Sequence, residues 1–128
     1  MNQPTHVTVP TLDHGPVVVP EPAWCTGHNH PHTEARDDVT HTGPIIPFNA
    51  PTSRGEVTLM LAALEQRPFA THHAPGTETF VNVELAGEDW YPSTPDQLDA
   101  LADALVEHAT TLRHLARQLA TLRAGEAR

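Results

Sequence analysis

Phe80-Val81-Asn82-Val83-Glu84-Leu85 is the stretch on which the fold turns. Apolar and polar residues alternate along it, so Val81, Val83 and Leu85 face one way and Asn82 and Glu84 the other. Ala86-Gly87-Glu88 then turns the chain, and Asp89-Trp90-Tyr91 returns it as a short strand. Upstream, Glu56 to Glu65 begins with strand alternation and ends in a Leu/Met/Ala-rich half that also suits a helix; it is read as a strand. Ile45-Ile46-Pro47-Phe48 is a short, proline-broken strand candidate. Together these pieces predict an antiparallel meander with one wet face.

Directly after the meander comes the clearest helix signal. Thr94 is placed to be an N-cap, Pro95 to take the first helical position, and Gln97 to complete a capping box. Asp96, Asp99 and Asp103 suit the N-terminal half, Arg117 and Arg123 the C-terminal end, and Gly125 is a plausible stop. About 28 residues of helix make a rod of roughly 42 Å. Leu98, Leu101, Leu105, His108, Leu112, Leu115, Leu119 and Leu122 follow one another at alternating steps of three and four, an unbroken heptad seam. The flanks hold Ala102, Ala104, Ala109, Thr111, Ala116 and Gln118, which are small rather than charged. His108 reads as a satisfied core or interface residue rather than a ligand; if it is buried, acid would charge it and loosen the seam.

The expected fold class is therefore α+β: a small antiparallel sheet packed on one long C-terminal helix, with an irregular N-terminal Cys/His segment. Such a rod outruns a strand of five or six residues, about 17–20 Å long. Part of the seam must face something else, and a homodimer is expected. The acids (Asp96, Asp99, Asp103, Glu107) and the bases (Arg113, Arg117, Arg123) occupy opposite halves, which weakly favours antiparallel pairing.

Residues 1–23 carry two β-prone pieces, Val7-Thr8-Val9 and Val17-Val18-Val19, around a turn at Asp13-His14-Gly15-Pro16. Prolines limit both pieces to edge strands or extended chain, so the arm is either a loose hairpin or a disordered tail. Residues 24–43 have no apolar period. The remaining 44–124 make the sheet and helix, one domain overall. His72-His73 lies in a loop rich in Pro, Gly and His, and reads as solvated. Trp90 and Tyr91 read as core or hinge aromatics rather than as a binding platform.

The chain has 128 residues, a formal charge of −9, no lysine and 13 prolines. Such acidity disfavours nucleic acid and anionic membranes. One cysteine forms no internal disulfide, the start has no signal-peptide pattern, and no aliphatic run spans a bilayer, so a cytoplasmic protein is expected.

Only one stretch carries metal chemistry. Cys25 and His28 have C-x2-H spacing, with Gly27 easing the bend, and His41 follows after twelve intervening residues. Thiolate and neutral imidazole are preferred zinc ligands. His30, His32 or His14 supplies the fourth, with Asp37 or Asp38 as less favoured oxygen donors. Four protein ligands make a structural site, whereas three leave a place for reactive water. Glu21, Glu34, Asp37 and Asp38 are near enough in sequence to act as a base, but none stands in a known catalytic pattern.

Asp13-His14-Gly15-Pro16, Glu21-Pro22-Ala23-Trp24-Cys25-Thr26-Gly27-His28, His41-Thr42-Gly43-Pro44, Leu64-Glu65-Gln66-Arg67-Pro68-Phe69 and the helix at Leu101–Ala109 together resemble a family of small acidic actinobacterial domains of unknown function with a W-C-x-G-H motif. The resemblance implies no activity. It does imply that His14, His28 and His41 belong to the motif, which sets His14 beside Cys25, His28 and His41 in the expected zinc site. The function expected is a non-enzymatic, zinc-stabilised interaction or regulatory module that self-associates or binds a protein partner. A small zinc-dependent hydrolase and a metal-free structural subunit are the alternatives.

Overall fold

The computed structural model describes residues 5–28, 33–71 and 75–127. It is α+β, with two antiparallel sheets and one long C-terminal helix. The chain divides into two compact units, Met1–Ser93 and Thr94–Arg128, each described by itself.

In the first unit, β1 (Thr5–Thr11) and β2 (Gly15–Glu21) form a regular two-stranded hairpin. Each strand has one free edge, so Pro10, Pro16 and Pro20 fit without breaking the ladder. Its tight end is held by Thr11, whose hydroxyl donates to Gly15 O at 2.7 Å and accepts from His14 N at 2.9 Å. Gly15, at φ 62°, supplies the left-handed turn. Val9 and Val19 bury one face of the hairpin with Val39, and Val7, Val17 and Phe69 pack against that cluster. Backbone bonds tie the hairpin to the segment after it: Leu12 N donates to Glu34 O, and Arg36 N to the Asp13 carboxylate.

The larger sheet holds β3 (His41–Thr42), β4 (Ile46–Thr52), β5 (Gly55–Gln66), β6 (Phe80–Leu85) and β7 (Trp90–Ser93). All pairs are antiparallel. The 12-residue β5 is the spine, with β6 on one side and both β3 and β4 on the other. β3 takes the Glu65–Gln66 end of β5, and β4 the stretch from Gly55 to Ala62. The Leu/Met/Ala-rich half of β5 is strand because it is paired on both sides, and pairing overrides its helical propensity. Ala86 (φ 54°) and Gly87 (φ 74°) make the tight turn from β6 towards β7.

Strand β6 lacks the wet face that its alternation predicts, although β4, the first half of β5 and most of β7 are exposed. Val83 is buried on one side, and Phe80 and Asn82 are buried on the other. Asn82 is tolerated there because its amide donates to Glu65 Oε2 at 2.9 Å. Burial pushes the Glu65 carboxyl up. Trp90 and Tyr91, expected as core or hinge aromatics, are exposed on β7.

The second unit is α1, Pro95–Glu126. Thr94 and Gln97 form the expected capping box, with Pro95 inside it. The helix passes through Gly125 rather than stopping there and ends at Ala127. A single glycine costs about 1 kcal/mol in a helix, too little to end one that is otherwise well made. No residue of α1 is buried, and Leu105, Leu112, Leu115, Leu119 and Leu122 are exposed. Among the described residues no helix is long and apolar enough to cross a membrane.

Candidate metal centre

Three backbone devices bring the donors together. Glu21 is the last residue of β2, so the hairpin ladder fixes where its side chain starts. The chain then bends sharply: Cys25 N donates to Pro22 O, and Gly27 N approaches Cys25 Sγ at 3.5 Å. Gly27 sits at φ 104°, a conformation side chains resist, and it lets His28 fold back over Cys25. Thr26 hooks this knuckle to β3, its N and its hydroxyl both donating to Thr42 O at 2.9 and 3.0 Å. His41 opens β3 and is held by its pairing with Gln66. The neighbouring Gly43 is needed for close approach, because a Cβ there would stand 3.3 Å from Leu64 Cβ and 3.5 Å from the Trp24 ring.

Glu21, Cys25, His28 and His41 thereby converge, each offering one donor atom, all within 4.8 Å of one another. Cys25 Sγ lies 3.7 Å from His28 Nε2, which lies 3.2 Å from His41 Nδ1. Glu21 Oε1 is 3.7 Å from His41 Nδ1 and 2.7 Å from His28 Nε2. Zinc bonds of about 2.0–2.3 Å in a tetrahedron set neighbouring donors roughly 3.3–3.6 Å apart. Three of these separations are close to that span, and the Glu21–His28 distance is shorter. His41 is fully buried and its imidazole stands edge-on to that of His28. Glu21 Oε1 is buried beside His28 Nε2, at 2.7 Å. An acceptor so placed is compatible with a cation.

The ionisation states fit a cation as well. A hydrogen bond from the Cys25 thiol, and then the charge of His28, holds the Glu21 carboxyl below its usual range. Burial, and then the Glu21 carboxylate, pushes the Cys25 thiol up. Burial, and then His28, pushes His41 down, keeping it neutral and free to ligate. A divalent ion would reverse the pressure on Cys25, since a coordinating thiol is deprotonated outright.

Of the residues expected from sequence, Cys25, His28 and His41 are together. His14 is not with them: it lies at the hairpin tip, exposed, 3.1 Å from the Asp13 carboxylate. The turn that Thr11 closes holds it there. Asp37 and Asp38 are exposed on a one-turn helix, Arg36–Asp38. His30, His32 and the His72-His73 pair lie outside the described residues. Glu21 takes the fourth place. Sequence reading weighs it only as a base, because carboxylates are rarer in the familiar Cys/His zinc patterns. Its signal was a lone acid four residues before the cysteine, at the end of a β-prone run.

Fold and site define a small α+β protein with a Cys-His-His-Glu donor group that ties a hairpin to a sheet. The chain belongs to a family described as a domain of unknown function, DUF6907, which it matches over residues 6–121. Searches of curated proteins and of solved structures returned no match.

Proposed function

We propose that Glu21, Cys25, His28 and His41 hold a structural zinc ion, and that the protein is a non-enzymatic interaction or regulatory module, homodimeric through α1. The observation that carries the zinc reading is the convergence of the buried Oε1 of Glu21 with three further donors, all within 4.8 Å of one another. Zinc in this place would join the end of the hairpin to the knuckle and β3, which Thr26 already links through Thr42 O. The dimer reading rests on a seam of exposed leucines along 32 residues of helix, since an uncovered amphipathic helix gains its stability from a partner.

Metal analysis combined with native mass tests both at once. One zinc per chain and a dimeric mass are expected. Chelation is expected to lower the melting temperature and speed amide exchange first in residues 14–44. A metal-free protein whose melt is unmoved by added zinc would leave the structural-subunit reading standing instead.

One observation favours a second reading, a small zinc-dependent hydrolase. At 2.7 Å from His28 Nε2, Glu21 Oε1 is nearer than two ligands of one tetrahedral ion should stand. Were Glu21 displaced from the ion, Cys25, His28 and His41 would leave one position for water and Glu21 would be its base. Glu21→Gln separates the two readings. Weakened zinc retention supports the structural site, whereas full retention with loss of hydrolysis across a panel of activated esters and amides supports the enzyme.

A further inference from the structure

We infer that the partner of the α1 seam is a second copy of this chain running antiparallel, in the register that sets Leu98 against Leu122 and His108 against Leu112 of the other copy. The inference deepens the homodimer reading above and rests on it. Three patterns on α1 bear on the register: the leucine seam and the charges share one centre of symmetry, at residue 110, and the alanine strip is centred one residue away, at 109.

The seam itself is the first. About residue 110 its positions exchange in pairs, and the outer pair, Leu98 with Leu122, and the inner pair, His108 with Leu112, close at the same register. Every layer of the antiparallel pair then holds at least one leucine. A parallel pair in register would instead stack His108 on His108 in one layer.

The small residues are the second. Ala102, Ala109 and Ala116 recur every seventh position along one flank of the seam. In an antiparallel pair this flank meets the same flank of its neighbour. The register above leaves Ala109 and Ala109, and Ala102 and Ala116, two residues, or about 3 Å, from level with each other across the dyad. A strip with no side chain beyond Cβ lets the helix axes approach the lower end of the usual range of about 8–10 Å. The repeat is thus complementary to itself only when reversed.

Charge is the third. Asp96, Asp99, Asp103 and Glu107 occupy the first half, and Arg113, Arg117 and Arg123 the second. Reversal sets Asp103 level with Arg117, and Glu107 level with Arg113, of the other copy. These positions are on the outer surface, so they bias orientation rather than form close pairs. Parallel alignment would lay the two acidic halves side by side. The helix dipoles add to the same preference.

Cross-linking of the full zinc-loaded chain tests the register, with sedimentation run on the same samples. Ala109→Cys is expected to give a disulfide-linked dimer in most of the protein under mild oxidation, mapped by mass spectrometry to residue 109 in both chains. Leu122→Cys is expected to cross-link no more than the parent protein with its Cys25, because the two copies of residue 122 stand about 36 Å apart along the axis. A dimer in which Leu122→Cys cross-links, or in which Ala109→Cys does not, overturns the register while leaving the dimer. A monomer by sedimentation at high concentration overturns both.

Discussion

Zinc binding should release about one proton per ion at neutral to mildly alkaline pH, and that proton should come from Cys25. The count follows from the site. Glu21 sits below its ordinary 4.5 and is already a carboxylate. His41 sits below its ordinary 6.5 and is already neutral. Cys25 sits above its ordinary 9.0 and keeps its proton until the ion displaces it. One proton lost per binding event makes affinity rise about tenfold per pH unit, or ~1.4 kcal/mol, as long as the pH stays below the thiol's own pKa. Calorimetry between about pH 7.5 and 8.5, in buffers of different ionisation enthalpy, reads the proton count directly. A slope of affinity on pH taken from competition with a chelator reads it independently. A count near zero would mean that the thiol is not a ligand, and a count near two that the assigned ionisation states are wrong. Cys25→Ser should abolish the release and most of the affinity together.

Other expectations follow from single features of the fold. Glu65 has a raised pKa because it is buried, so the folded state holds its proton more tightly than the unfolded chain and stability falls as pH rises above the ordinary 4.5. Glu65→Gln keeps an acceptor for Asn82, and should raise the melting temperature at pH 7 but give little gain below about pH 4, where both side chains are neutral. Ala86→Gly should stabilise by about 1 kcal/mol in urea unfolding, because Ala86 carries φ 54° in the turn after β6. Thr94→Ala removes the capping box and should cost about 1 kcal/mol, seen as fraying of the first turn of α1 by amide exchange. His108→Leu should lower the dimer dissociation constant in sedimentation, by filling the one polar place in the seam.

Local chemistry was legible where it acts over a few residues. Thr94, Pro95 and Gln97 announce the helix because a cap is made within one turn. The turn at Asp13-His14-Gly15-Pro16 between two β-prone pieces offered a hairpin as one of two readings, and the two strands do pair. Cys25, His28 and His41 were legible as a group of candidate donors through residue type and spacing, and a hydrogen-bonded strand brings His41 to the knuckle. Glu21 was hidden because its role depends on where the hairpin ends relative to the knuckle, a tertiary matter. His14 misled because its turn is closed by Thr11, which aims it at Asp13. Asn82 was assigned to solvent by alternation alone, and only the cross-strand acceptor Glu65 explains its burial.

Spacing between donors also sets what the chain can tolerate. Glu21 and His41 each sit at a strand end, and between His28 and His41 the chain also gives the hairpin its bonds at Glu34 and Arg36 and its buried neighbour Val39. An ion bridging them acts on the unfolded ensemble as a cross-link would, and the entropy it removes grows only with the logarithm of loop length. Doubling the intervening loop would cost only about 0.6 kcal/mol. Were such an ion bound, a longer connection between these donors would be tolerated wherever it spares Glu34, Arg36 and Val39, which the hairpin holds.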